Sequence, residues 1–69
     1  MRLNLKIARI KKGLKQRELA EQIGVTRDYI ASLEAGRIKN PSIDNMKKLS
    51  RALGVPVSEL FFDENDDNE

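Results

Sequence analysis

Residues 16–34, QRELAEQIGVTRDYIASLE, limit this chain more than any other stretch. Leu19, Ala20 and Ile23 fall at i, i+1 and i+4, the spacing of one buried helix face. Gly24 follows where that helix must end, because glycine enters the left-handed cap conformation without a Cβ clash. Two residues later Thr26 can place its hydroxyl on the free N–H groups of a new helix. That helix would turn Ile30 and Leu33 inward and leave Arg27, Asp28, Tyr29, Ala31 and Ser32 on or near its other side. Two short helices joined by so tight a turn, the second with a polar outer face, predict a compact all-α fold.

The remaining segments fit that class. A first helix is expected from Leu3 or Asn4 to Lys12, stopping at Gly13. It is apolar on two sides: Leu3, Ile7 and Ile10, continued by Leu14, form one stripe, and Leu5 and Ala8 lie nearly opposite. The surplus isoleucines either cover the edges of the core or meet a partner. The third helix is expected to end at a Gly36 cap, followed by the loop Arg37-Ile38-Lys39-Asn40-Pro41. Ser42 reads as the next N-cap, with Asp44 in the first turn of a helix that places Ile43, Met46, Leu49, Ala52 and Leu53 inward. Gly54 ends it, and a short fifth helix begins near Val57 or Ser58 and includes Leu60 and Phe61. Only one of the adjacent Phe61 and Phe62 can easily face the same core. No strand pattern or internal repeat is visible.

Composition narrows the chemistry. In 69 residues there is no cysteine and no histidine. Disulfides and thiolate-bound metal are therefore excluded, and the commonest general base and metal ligand is missing. No paired catalytic constellation or Gly-rich phosphate loop is evident, so no enzyme, metal site or cofactor is expected. No apolar run is long enough to span a bilayer, and the N-terminus lacks the form of a signal peptide; a soluble, cytoplasmic protein is expected. Charge is uneven. Five of the eleven acids lie in residues 63–69, where there is no base, so the thirteen bases face only six acids over residues 1–62. A basic body suits phosphate, although solvated lysine faces give the same balance. Residues 1–62 are expected to form the domain and 63–69 a disordered acidic tail.

From Leu5 to Phe61 the chain resembles the Cro/C1-type (lambda-repressor-like) helix-turn-helix family. The resemblance is carried by LKQRELAEQIGVTRDYIASLEAG and NPSIDNMKKLSRALGVPVSELF, with Gln16 before ELA, Gly24 in the turn, Glu34 two before Gly36, and the ALGV…LF ending. It implies a five-helix domain that binds double-stranded DNA and regulates transcription, as a phage or mobile-element repressor, a restriction–modification controller or an operon-repressing antitoxin. The resemblance also implies residue roles. Arg27, Asp28 and Ser32 match positions that meet base edges in the major groove; Tyr29 flanks them and could reach a base or the backbone. Gln16 matches a phosphate-approaching glutamine at the start of helix two, where free N–H groups suit an anion. Arg37, Lys39 and Asn40 match a loop along the sugar-phosphate strand, and Arg9 and Glu34 match an ion pair.

Each role has a plainer alternative. Arg27 could contact a phosphate, Asp28 could cap its helix or orient Arg27, and Ser32 could act through water. Because a single module covers few base pairs, a homodimer on a pseudo-palindromic operator is expected. Its contact is placed at Val57, Leu60 and Phe62, with the Leu3–Ile7–Ile10 stripe second. The competing expectation is a protein-interaction module or an antitoxin whose main partner is another protein. No second domain is visible, so regulation would come from concentration, proteolysis or a protein partner such as an antirepressor.

Overall fold

The structure, a computed structural model, describes residues 4–61. Leu3, Phe62 and the acidic stretch 63–69 lie outside the described residues, and with them part of the expected α1 stripe, part of the expected dimer contact and the expected tail. Five helices follow one another: α1 (Asn4–Lys11), α2 (Gln16–Ile23), α3 (Arg27–Glu34), α4 (Ile43–Leu53) and α5 (Val57–Phe61). No strand is present among the described residues.

The boundaries follow from local chemistry. Gly24, at φ 79°, closes α2 with its N–H on Ala20 O at 2.9 Å. Thr26 Oγ1 accepts from the Tyr29 N–H at 3.1 Å and starts α3 after only Gly24-Val25-Thr26. At the far end of α3 the cap is Ala35, not Gly36 as expected. Gly36 stands one residue beyond, at φ 83°, and lets Arg37 N–H reach back to Ser32 O at 2.9 Å. Closing the last turn this tightly needs the left-handed residue just past the cap. Ser42 Oγ caps α4 by accepting from Asn45 N–H at 3.1 Å.

The core gathers Leu5 from α1, Leu19, Ala20 and Ile23 from α2, and Ile30 and Leu33 from α3. Leu49 and Leu53 of α4 and Leu60 and Phe61 of α5 complete it. α2 packs on α3 and α4, while α1 lies against α5 and α3. An end tie joins α1 to α5, where Asn4 Nδ2 donates to Glu59 O at 2.6 Å.

Two expectations about helix faces change. Ile43 is 69% exposed, not inward. It opens α4, six residues before Leu49, and at 3.6 residues per turn the two point roughly 120° apart. In α1 the inward line is Leu5, Ala8 and Arg9, which leaves Ile7 and Ile10 more than half exposed and away from the core edge.

The α2–α3 turn has only three residues, and no atom lies within 4 Å of a Cβ built on Gly24. Gly24→Ala is therefore expected to cost the backbone penalty alone, about 1–2 kcal/mol. Urea unfolding of the variant beside the parent protein measures it.

Candidate nucleic-acid interface

The polar side of α3 is open. The Arg27 and Asp28 side chains are 61% and 93% exposed, and Ser32 is half-buried further along. Ile30, Leu33 and Glu34 occupy the inner side. Asp28 does not cap the helix, because Thr26 holds that position; its carboxylate lies 3.9 Å from Arg27 Nη1. Two charges this exposed are screened by water and leave Arg27 free to reorient.

The loop after α3 comes back to the same side. Arg37 Nη2 donates to Ser32 Oγ at 3.4 Å, so a residue expected on bases and one expected on phosphates sit together. The loop is anchored by Ile38, which packs against the core, and by buried Pro41. Between these anchors Lys39 and Asn40 are exposed, as is Arg37 ahead of them. The alternation follows from chemistry: an apolar residue and a proline are held inward, while the polar residues remain hydrated.

Behind α3 lies a polar junction. Arg9 Nε and Nη2 donate to Glu34 Oε2 and Oε1 at 2.7 and 3.1 Å, a two-pronged pair whose side chains are 10% and 4% exposed. The third guanidinium nitrogen, Nη1, donates to Leu14 O at 2.8 Å. Gln16 Nε2 donates to Glu34 Oε1 at 3.0 Å, so its amide is bound inward at the first turn of α2. The resemblance pointed to Gln16 only as a phosphate residue; its tie to Glu34 spans eighteen positions and has no signature in local spacing. Nor did the sequence reveal the contact of Asn45 Nδ2 with the Tyr29 hydroxyl, at 3.0 Å.

Two further expectations are affected. Leu60 is only 1% exposed, with its side chain inside the core, and is not available to a dimer contact. Val57 is half-buried and packs against that core. Among the described residues no group of three or more His, Cys, Asp or Glu is placed to hold a metal, and no helix is long and apolar enough to cross a membrane.

Removing one side of the buried pair strands the other charge. Glu34→Ala and Arg9→Ala are each expected to lose about 3–5 kcal/mol of stability. The paired replacement Arg9→Met with Glu34→Leu is expected to recover much of that loss, as read by thermal and urea unfolding.

The five-helix fold agrees with the comparisons. A family model described as helix-turn-helix matches residues 5–60. The chain is similar to the control protein C.MunI of Mycoplasma sp, 41% identical over 58 residues covering 84% of this chain and 77% of that protein. It spans as little as 38% of one curated relative and 90% of another. Among solved structures it is similar to the N-terminal DNA-binding domain of SinR from Bacillus subtilis. There the TM-score is 0.80 and the identity 38%, covering 88% of each chain. It is also similar to a chain in the complex of SinR with SinI, with a TM-score of 0.83 and 35% identity over 96% of this chain and 64% of that one. The chain belongs to the Cro/C1-type helix-turn-helix family of DNA-binding transcriptional regulators.

Proposed function

We propose that this regulator is a repressor that binds a pseudo-palindromic operator as a homodimer, with α3 lying in the major groove of each half-site. Arg27 is the principal reader, since its guanidinium can bridge guanine O6 and N7. Asp28 can accept from cytosine N4, and Ser32 reads an edge directly or through water. Gln16, Tyr29, Arg37, Lys39 and Asn40 set the register on the sugar-phosphate strands. The observation that carries this reading is the meeting of the loop with the open side of α3 at Ser32 and Arg37. One surface then offers both a row for base edges and cations for the adjacent strand. Val57 remains the candidate contact between protomers, without Leu60. We place the protein in the cytoplasm with the nucleoid, where its target is.

A protein partner is the second reading, favoured by the solved complex of SinR with SinI. The two separate by salt. Phosphate binding lowers affinity steeply as salt rises, whereas an interaction module of this fold would show no such slope on duplex DNA.

Selection of bound duplexes from a random pool is expected to yield a two-fold symmetric motif with half-sites about one helical turn apart. Arg27→Ala should abolish preference at one symmetric pair of positions, each worth about 1–3 kcal/mol. An unchanged motif would refute the role given to Arg27. Arg37→Ala and Lys39→Ala should instead weaken all duplexes alike and each reduce the salt slope by about one.

A further inference from the structure

Tyr29 and Asn45 occupy the same place in two different helices. Each is the third residue after its cap, and each has its N–H held by that cap's hydroxyl at 3.1 Å. The first turns of α3 and α4 are thus separately fixed, and the two side chains then join them. Asn45 Nδ2 donates to the Tyr29 phenol oxygen at 3.0 Å.

The direction of that bond matters. A phenol oxygen can accept one hydrogen bond and donate another at the same time. With Asn45 as the donor, the phenol's own hydrogen is left for another acceptor. The bond it receives polarises the O–H and strengthens what it gives. The ring cannot swing freely, because Tyr29 is half-buried and packs against the core. Tyr29 stands in the first turn of α3 with Arg27 and Asp28, and Asn45 in the first turn of α4, three residues after the Ser42 cap, so their bond ties the helix before the 37–41 loop to the helix after it.

We propose that Asn45 is a positioning residue for DNA binding: it holds the Tyr29 phenol as a one-way donor to a phosphate oxygen beside α3. The inference rests on the DNA-binding reading above and adds to it a residue that the resemblance did not single out. Phosphate oxygens only accept, so a phenol whose oxygen is already occupied is matched to them in polarity. The contact is uncharged. It therefore adds affinity without displacing counterions, unlike the loop cations.

The test is a double-mutant cycle on the full chain with Tyr29→Phe, Asn45→Ala and the pair together. Binding is titrated against a pool of short random-sequence duplexes at several salt concentrations, with a thermal melt of each variant. Each single change is expected to weaken binding about tenfold per protomer. All duplexes should be affected alike and the salt slope should match the parent's. The double variant should bind no worse than the weaker single, since both remove one contact. Additive losses, or unchanged binding by either folded single variant, would overturn the proposal. A purely structural link would lower the melting temperature yet show no such coupling in affinity. Should Asn45→Ala fail to fold, Asn45→Leu takes its place in the cycle, because it keeps nearly the same shape and loses the amide donor; undiminished binding by that variant or by Tyr29→Phe overturns the proposal. A parent protein that binds no duplex would overturn the DNA-binding reading itself, whereas a binding parent with two silent variants removes the Tyr29–Asn45 contact and leaves the rest of that reading standing.

Discussion

The buried pair of Arg9 and Glu34 is the constraint on which the arrangement of the helices depends. Two charges drawn almost entirely out of water are tolerated only when they satisfy each other and their remaining hydrogen-bonding capacity is used. Here that capacity is used by Leu14 O on one side and the Gln16 amide on the other. The four residues belong to α1, the turn after it, the first turn of α2 and the last turn of α3. One junction therefore fixes the start of α2 relative to the end of α3. The angle between those helices decides whether free N–H groups at one and polar side chains along the other can meet the same duplex.

Around that junction the connections are short and chemically determined. A left-handed glycine closes α2 and a threonine hydroxyl opens α3, leaving the chain no slack between them. The longer connection from α3 to α4 is held differently, by Ile38 against the core and by buried Pro41. Its polar residues are displayed because their neighbours are anchored. A loop whose backbone is anchored in advance has less freedom to lose on meeting a partner.

A domain of this size has little apolar interior to spare. Polar ties carry part of the organisation: the ion-pair junction, the Asn4–Glu59 link between α1 and α5, and the Asn45–Tyr29 link between α4 and α3. These ties are directional, whereas apolar packing is not. They set register where the small core sets only proximity. At the α3 surface they hold the edges, Tyr29 through Asn45 and the last turn through Glu34, while the exposed Arg27 side chain stays free to reorient.

Local rules reach as far as neighbours along the chain, and they were sufficient for the helices. Glycine, threonine and serine at the right places, with apolar residues at helical spacing, determined five segments and most of the core; motif spacing supplied the family. The same rules misplaced Ile43 and left Ile7 and Ile10 undecided, because helical spacing defines a stripe but not which stripe a neighbouring helix covers. Leu60 was misassigned for a related reason: an apolar residue near a chain end looks surplus until the space it fills is known. Gln16 with Glu34, and Tyr29 with Asn45, are separated by many residues and carry no mutual signature. Those contacts exist only because the helices cross as they do. The sequence by itself determined which segments are helical and which carry polar faces. Only the tertiary structure decided which faces meet, since that depends on helix phase and crossing, which no single segment contains.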